Sequence, residues 1–183
     1  MASNSGKAQV GVIHPRRAQK ETAATPAAVT ATEPIETADQ GVISNFRGRY
    51  FFLSNFYECR MAYHSRTFSS SEAAFQSEKT FDEEKKNQFC QLSPSWAKHF
   101  GNQLVIRPDW ETVKVQIMRE VVTAKFQQNL PLLALLLSTK PNTLIEGNTW
   151  HDQFWGATLN KGKWVGANWL GRILMELRDN YKE

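Results

Sequence analysis

Apolar residues recur with regular spacing only from about residue 41 onward. Residues 1–40 contain no Phe, Tyr or Trp and are rich in Ala, Thr and Ser. Such a segment buries too little apolar surface to offset the conformational entropy that is lost on ordering. We therefore predict a disordered tail over residues 1–40 and one folded domain over residues 41–183, a length that supports a single core.

Two apolar runs near the start of this domain have the length of β-strands. They are YFFLSNF (50–56) and ECRMAYH (58–64). The residues HSRT (64–67) can form a turn that leads to Thr67 and Phe68. We therefore predict short strands in this part of the chain.

Capping residues and helical periodicity predict helices over most of the remaining domain. Ser69 followed by Glu72 has the Ser-x-x-Glu spacing of a capping box, so the first helix should begin there. Ser93 with Pro94 should begin a short helix that ends at Gly101, and Asp109 should cap the longest helix. The predicted helices after the first are 82–89, 94–101, 110–128, 131–137 and 168–181.

The first predicted helix carries an unusual set of polar side chains. Glu72, Gln76 and Lys79 are spaced i, i+4 and i+7, which places them along one helical face. A carboxylate, an amide and an amine in a row beside Phe75 suit a site for a polar ligand. The alternative is a solvated stripe on a surface helix, which is a common arrangement of these residue types.

The segment EGNTWHDQFWGATLNKGKWVGAN (146–168) is unusually rich in glycine and tryptophan. A long connection inside a compact domain tends to be functional. Asp152 is an acid flanked by aromatic residues, and Gly156 allows a ligand or a backbone segment to come close. The alternative is a surface loop whose tryptophans seal the core. Glu146 is a further acid candidate.

The net charge and the cysteines exclude few classes of function. The net charge of +4 suits a ligand that carries phosphate. Arg47 and Arg49 are either phosphate contacts or solvated turn residues. Cys59 and Cys90 have no spacing that indicates a disulfide or a metal site, which favours a reducing compartment, cytoplasmic or nuclear. No apolar run reaches the length of a membrane span.

Six short motifs occur in order along the folded part of the chain, and together they resemble the NADAR family, also called the YbiA-like family. The resemblance covers residues 46–178. The motifs are FLSNF, SSEAAFQSEK, SPSWAK followed by Gly101, DW-x-x-x-K-x-x-x-M, FWG and N-x-LG-x-x-LMELR. Two positions depart from the family: Ala73 stands where a histidine is common, and Asn102 stands where an arginine is common.

This resemblance implies a single, compact, mainly helical α+β domain with a few short strands and N-glycosidase activity. It implies catalytic roles for Lys79, Glu72 and Asp152, without deciding which carboxylate is the general acid or base. It implies no metal and no cofactor. The substrate-binding residues that it implies are Arg49, Asn55, Phe56, Gln76, Trp110, Trp155, Gly156 and Asn168.

Members of the family act on glycosylamine bonds, and three functions are consistent with the sequence. The first is removal of ADP-ribose from guanine in nucleic acid or nucleotides, with an ADP-ribose-containing substrate as the partner. The second is hydrolysis of an intermediate of riboflavin biosynthesis. The third is a non-catalytic ADP-ribose binding module. An uncharged Lys79 amine could attack the anomeric carbon and form a Schiff base, which requires a partly desolvated lysine.

Overall fold

The computed structural model, which describes residues 41–182, contains three pairs of short strands together with a set of helices. The predicted disordered tail, residues 1–40, lies outside the described residues, so that prediction is untested. The strands are β1 (Val42–Ile43), β2 (Glu58–Tyr63), β3 (Arg66–Ser70), β4 (Thr143–Leu144), β5 (Thr158–Asn160) and β6 (Lys163–Val165).

Helices account for more of the described domain than strands do. A 3-10 helix spans Gly48–Leu53. The α-helices are α1 (Ser71–Ser77), α2 (Glu83–Phe89), α3 (Pro94–Gly101), α4 (Trp110–Gln127), α5 (Leu130–Leu137) and α6 (Trp169–Asn180). The prediction of a mainly helical α+β domain with a few short strands is therefore confirmed, and the helices after the first begin and end close to their predicted positions.

Helix α1 lies at the centre of the packing. It contacts α2, α3, α4 and the hairpin strands β2 and β3. All seven of its residues are buried. The alternative of a solvated polar stripe on this helix is therefore wrong, since Glu72 and Gln76 lie inside the domain. None of the helices within residues 41–182 is both long enough and apolar enough to cross a bilayer.

The strands form one parallel pair and two hairpins. β1 pairs with β4 in parallel, which brings the start of the described chain beside residues 143–144. β2 and β3 are joined at His64 and Ser65, and both residues have positive φ, as a tight two-residue hairpin turn requires. The turn predicted there is confirmed. The segment 146–168, predicted to be one long connection, contains a hairpin formed by β5 and β6.

The predicted cap of α1 is off by one residue. The N-cap is Ser70, whose hydroxyl accepts a hydrogen bond from the backbone N–H of Ala73 at 3.1 Å. The hydroxyl of Ser69 donates instead to the carbonyl of Leu92 at 2.7 Å. Glu72 consequently occupies the second helical position and not the third, so its carboxylate does not close a capping box and is free for other partners.

One further sequence prediction is wrong, and another holds only in part. Residues 48–53 form a 3-10 helix where a strand was expected, and both Phe52 and Leu53 are buried, which is inconsistent with the alternating exposure of a one-sided strand. Asp109 is the N-cap residue of α4, as predicted, but its side chain makes no cap hydrogen bond. The guanidinium of Arg107 holds both of its carboxylate oxygens, at 2.6 and 2.7 Å.

We predict that Gly171→Ala destabilises the domain even though alanine is the better helix former. A Cβ at this position of α6 would lie 2.2 Å from the backbone carbonyl oxygen of Leu144 in β4. Relieving such a contact requires a shift of backbone, so we expect a loss of about 1–3 kcal/mol in the free energy of unfolding. Urea unfolding of both proteins measures this; a gain in stability, as helix propensity alone predicts, would contradict the packing of α6 on β4.

Candidate active site

A cavity of about 180 Å³ opens beside the N-terminal half of α1. Its lining comes from five parts of the chain that are distant in sequence. The lining residues are Asn55, Phe56, Glu72, Phe75, Lys98, Met118, Glu146, Trp150, Asp152 and Trp155. Acids, an amine and aromatic rings therefore line one cavity.

The segment that carries Asn55 is bonded to the start of α1. The Asn55 carbonyl accepts from the backbone N–H of Glu72 at 3.0 Å, and its side-chain oxygen accepts from the Ser71 hydroxyl at 3.0 Å. Its amide nitrogen faces the sulfur of Met118 on α4 at 3.2 Å. Asn55 thus lines the cavity, while its side chain already holds α1 and α4 together.

A buried lysine on helix α4 stabilises the same segment. The amine of Lys125, which is only 1% exposed, donates to the carbonyl of Ser54 at 2.8 Å. Burial lowers the pKa of Lys125 to about 8, an effect that nearby Cys59 and Glu146 partly oppose. The backbone on which Asn55 and Phe56 are mounted is therefore fixed by an interior hydrogen bond.

Glu72 is the most enclosed acid of the cavity, with 4% of its surface exposed. Its Oε1 accepts from Gln76 Nε2 at 2.8 Å and lies 3.9 Å from Lys98 Nζ. Burial raises the pKa of Glu72; Lys98, Gln76 and Lys79 lower it again, and the charge of Asp152 raises it. Glu72 is thus a buried carboxyl group with a raised pKa, close to the amine of Lys98 and within the electrostatic influence of Lys79.

Gln76 lies behind Glu72 and is fully buried. Its amide nitrogen holds Glu72, and its Oε1 has no hydrogen-bond partner within the described residues. A Cβ on Gly101 of α3 would lie 2.0 Å from that oxygen, so the glycine makes room for the amide. Gln76 is not among the cavity-lining residues, and it supports Glu72 from the side away from the cavity.

Lys79 does not lie on the helical face that was predicted for it. Helix α1 ends at Ser77, and Lys79 follows in a turn where its backbone N–H donates to the carbonyl of Gln76 at 3.2 Å. Its side chain is half-buried, and burial lowers the pKa of its amine. The charge of Lys98 lowers that pKa further, whereas Glu72 raises it. Lys79 is thus electrostatically coupled to the two charged groups at this end of the cavity.

Glu146 and Asp152 form the opposite side of the cavity. The backbone N–H of Glu146 donates to the side-chain oxygen of Asn168 at 3.0 Å. One carboxylate oxygen of Asp152 accepts from the backbone N–H groups of Phe154 and Trp155, at 3.1 and 2.9 Å. Burial raises the pKa of Glu146 to about 8, with further contributions from Asp152 and Glu72 that Lys98 and Lys125 oppose.

Asn168 and Gly156 act on the cavity through the backbone of Glu146. The amide nitrogen of Asn168 donates to the carbonyl of Leu144 at 2.9 Å, so both ends of this side chain are occupied within the protein. Asn168 therefore does not line the cavity as the predicted ligand of a sugar. A Cβ on Gly156 would lie 2.2 Å from the carbonyl oxygen of Glu146, which explains the glycine as a close approach of two backbone segments.

Aromatic rings form the remaining walls. Phe56, Trp150 and Trp155 line the cavity, and Trp155 meets Phe75 edge-on with ring centroids 5.3 Å apart. Trp110 is buried behind Phe75, with centroids 5.1 Å apart. Trp110 thus supports the wall and does not present the ligand-stacking face that was predicted for it.

A second cavity, of about 310 Å³, adjoins the first and shares Phe56, Glu146 and Trp150 with it. Arg47 lines this second cavity. Arg49, the predicted binding residue, is exposed, lines neither cavity and places its guanidinium 4.5 Å from the centroid of the Tyr50 ring. The remaining lining residues are Asn45, Phe46, Phe51, Ser54 and Gly147.

Sequence reasoning did not name three residues that line the first cavity: Lys98, Met118 and Trp150. Lys98 was part of the SPSWAK motif, but its distance from Glu72 follows from the packing of α3 on α1, which local spacing does not reveal. Trp150 precedes Asp152 by two residues and lies at the rim of both cavities with 61% of its surface exposed. The signal that could have found it was the concentration of tryptophan in this segment. Asn102 lies exposed at the end of α3 and lines neither cavity.

The chain is similar to known proteins over most of its length. A family model described as the NADAR domain matches residues 36–182. N-glycosidase YbiA of Escherichia coli is 37% identical over 151 residues, which cover 79% of this chain and 92% of that protein. A riboflavin biosynthesis protein of Vibrio vulnificus is 36% identical over 136 residues, which cover 72% of this chain and 36% of that protein. The NMR structure of YbiA from E. coli matches with a TM-score of 0.66, covering 76% of this chain and 84% of that one.

We predict that Glu146→Gln stabilises the protein increasingly as the pH rises. The folded state raises the pKa of Glu146 from 4.5 to about 8, so between these values it holds a proton that the unfolded chain has released. Stability therefore falls as the pH rises through this window, and glutamine removes that loss. Thermal unfolding should show similar melting temperatures near the lower end of the window and a higher melting temperature for the variant near its upper end.

Glu84→Gln, at an exposed position of α2, is the matched control for the loss of one carboxylate. It should show no such divergence from the wild-type protein across the same pH range. If Glu146→Gln and wild type keep a constant difference in melting temperature, the carboxyl group of Glu146 is not held in its neutral form by the fold.

Proposed function

The chain belongs to the NADAR domain family, and from this premise we propose that it is an N-glycosidase that hydrolyses a glycosylamine bond. The substrate that we propose is ADP-ribose attached to a guanine base, in nucleic acid or in a nucleotide. The N-glycosidase activity named for the relative YbiA supports the reaction class. The proposals for the substrate and for the nucleophile rest on the residues of the cavity.

One observation carries the proposal: the buried carboxyl of Glu72 lines a cavity with aromatic walls, close to Lys98 and within the electrostatic influence of Lys79, which itself does not line the cavity. Lys98 Nζ lies 3.9 Å from Glu72, and Lys79 has a lowered pKa because of burial and the charge of Lys98. A lysine becomes nucleophilic when desolvation or a neighbouring cation favours its neutral form. A binding module for a negatively charged ligand has no use for an amine whose pKa is lowered near an acid whose pKa is raised.

The proposed reaction begins when the glycosylamine opens to an imine between the anomeric carbon and the exocyclic nitrogen of the base. The neutral amine of Lys79 adds to this carbon, so that one carbon carries both nitrogens. The base nitrogen takes up a proton and leaves, and the electron pair on the Lys79 nitrogen forms the new imine. Water then adds to that imine, releasing the sugar as its aldehyde and restoring the amine of Lys79.

The acids on the cavity wall can supply and accept these protons. Glu72 has a raised pKa and is the acid nearest to the lysines, so it is the donor that we propose for the departing base. Glu146, with a pKa of about 8, exists in both protonation states near neutral pH. Asp152 lies on the same wall and contributes negative charge, which stabilises positive charge that develops at the anomeric carbon.

The presence of the second cavity favours a ligand that is longer than a single sugar. It continues from the first at Phe56, Glu146 and Trp150, and it reaches Arg47. An arginine is well suited to bind phosphate oxygens through paired N–H groups. A sugar at the acids, a phosphate group toward Arg47 and an aromatic base against tryptophan fit ADP-ribose better than a compact metabolite.

A second candidate substrate is an intermediate of riboflavin biosynthesis. It is favoured by the similarity to a Vibrio vulnificus protein that is named for that pathway. Its glycosylamine would pass through the same lysine chemistry, so only substrate preference separates the two. Comparing turnover of ADP-ribosylated guanosine with that of the riboflavin intermediate by the purified protein decides between them.

We predict that Lys79→Arg and Lys79→Ala are both nearly inactive, because the reaction needs a neutral amine and not a positive charge. Borohydride reduction during turnover should trap a sugar adduct on the wild-type protein, and mass spectrometry of peptides should locate it at Lys79. Lys98→Met is the informative companion variant: it removes the cation that lowers the pKa of Lys79, so its activity optimum should move to higher pH.

An adduct found at Lys98 would show that Lys98, which lines the cavity, is the nucleophile in place of Lys79. Absence of any adduct, together with substantial activity of Lys79→Arg, would exclude the Schiff-base route. Glu72 and Asp152 would then have to act through a bound water and an oxocarbenium-like transition state.

We predict that Trp155→Ala lowers kcat/KM for ADP-ribosylated guanosine by roughly tenfold or more, since stacking of a base on an aromatic ring contributes about 1–3 kcal/mol. Trp155→Phe keeps an aromatic face against Phe75 and should retain most of the activity. Steady-state kinetics of the two variants test the stacking role. A wild-type preference for the riboflavin intermediate would overturn the guanine assignment while leaving the reaction class intact.

A further inference from the structure

The direction of the Lys79 side chain is not set by helix α1, because the helix ends two residues earlier at Ser77. Lys79 is instead held through its backbone. Its N–H donates to the carbonyl of Gln76 at 3.2 Å, and its carbonyl accepts from the backbone N–H of Arg107 at 2.8 Å. The turn is thus fastened on one side to α1 and on the other to the segment that precedes α4.

The residue before Lys79 is a buried acid whose neighbours are two cations and a histidine. Glu78 is 4% exposed, and its carboxylate accepts from the amine of Lys86 on α2 at 3.0 Å. Arg107 Nη1 lies 4.0 Å from the same carboxylate oxygen, and His64 Nδ1 lies 3.5 Å from the other. Three elements of the fold, the β2–β3 turn, α2 and the segment before α4, therefore converge on this side chain.

Arg107 is in turn held in place by its own contacts. Its guanidinium binds both carboxylate oxygens of Asp109, at 2.6 and 2.7 Å, and lies 4.3 Å from the centroid of the Phe81 ring. Asp109 stands immediately before α4. The backbone contact between Arg107 and Lys79 thus connects the turn to the start of the longest helix.

A buried ion pair of this kind is a poor source of stability. The cost of removing two charges from water roughly offsets their attraction, and apolar replacements are often as stable. What such a pair does supply is a fixed geometry, because a buried charge must keep its partner. Glu78 directly precedes Lys79, the residue whose amine must reach the anomeric carbon. The geometry of the Glu78–Lys86 pair therefore affects the position of Lys79.

We propose that Glu78 is a positioning residue: held by Lys86 and Arg107, it fixes the turn that directs the Lys79 amine toward Glu72 and Lys98. This inference rests on the proposed function for the assignment of Lys79 as the nucleophile. Lys86 and Arg107 act through Glu78 and the turn, and none of the three lines the cavity.

The test compares Lys86→Met, which removes the cation and keeps an unbranched side chain, with Lys86→Arg, which keeps the cation. We expect Lys86→Met to lower kcat by roughly tenfold or more with little change in KM, since small displacements of a reacting group have large effects on rate. Lys86→Arg should recover most of the loss. Glu78→Gln, which removes the charge from the other partner, should resemble Lys86→Met.

Arg178→Gln is the matched control for the loss of a buried cation. Arg178 is also 4% exposed, and it donates to Thr139 Oγ1 at 3.2 Å and to the carbonyl of Asn142 at 2.8 Å, remote from the cavity lining. It should lose thermal stability to a similar extent and keep its kcat when assayed below its melting temperature. Equal losses of kcat in Arg178→Gln and Lys86→Met would overturn the positioning role.

A second measurement needs neither substrate nor turnover. Trace acetylation with acetic anhydride over a range of pH, read by mass spectrometry of peptides, reports how readily each lysine loses its proton. In the wild type Lys79 should react at lower pH than Lys85, whose side chain is 44% exposed. Burial of Lys79 and the charge of Lys98 lower the pKa of the Lys79 amine by more than Glu72 raises it. In Lys86→Met and Glu78→Gln the Lys79 profile should move toward that of Lys85.

The labelling result separates this inference from the proposed function. If Lys79→Arg stays active but the Lys79 labelling profile moves in Lys86→Met, the nucleophile is wrong and the positioning network stands. If the Lys79 profile is unchanged in folded Lys86→Met and in folded Glu78→Gln, the network does not position this amine, whatever the chemistry of the site.

Discussion

Complete burial of helix α1 is the constraint on which the rest of the structure depends. A seven-residue helix is too short to be stable in isolation, so packing on every side maintains it. Because two of its buried residues are Glu72 and Gln76, every neighbouring element has to satisfy a polar group as well as fill space. Ser70, Asn55 and Lys98 help to meet this requirement, since each places a polar atom close to a polar group of this helix.

The same burial accounts for the electrostatics of the cavity. Water is excluded from Glu72 by α2, α3, α4 and the β2–β3 hairpin, which raises the pKa of its carboxyl group. The amine of Lys79 is affected in the opposite direction, because exclusion of water disfavours its charged form. One structural cause therefore moves an acid and a base toward the protonation states that proton transfer near neutral pH requires.

The sequence predicted those features that depend on neighbours along the chain. Ser93 with Pro94 marked the start of α3, and the turn at His64 and Ser65 was expected, since caps and turns are local. The prediction of a strand at 50–56 was wrong because a run of consecutive apolar residues does not distinguish a strand from a 3-10 helix. Burial of α1 was left open because composition does not show which helix lies at the centre of a domain.

The sequence predicted only part of the site, because some of its residues are brought together by packing that the local sequence does not show. Glu72 and Asp152 were identified from short motifs and do line the cavity, and their catalytic roles are still predictions. Lys98 was missed because its place beside Glu72 depends on the packing of two helices. Arg49 was chosen over Arg47, since nothing local distinguishes two arginines on either side of a glycine. Asn168 has a positive φ and a fully occupied amide, which a motif match does not reveal.

The two cavities differ in how they are built, and this difference has a consequence for how the fold can diversify. Glu72 is carried by an interior helix, where almost any substitution disturbs several packed elements at once. Arg47 and Trp150 are exposed side chains that line the second cavity. Proteins with this architecture can therefore keep one reactive centre while exchanging the outer rim, so that the selection of a new ligand requires only surface substitutions and leaves the folding core untouched.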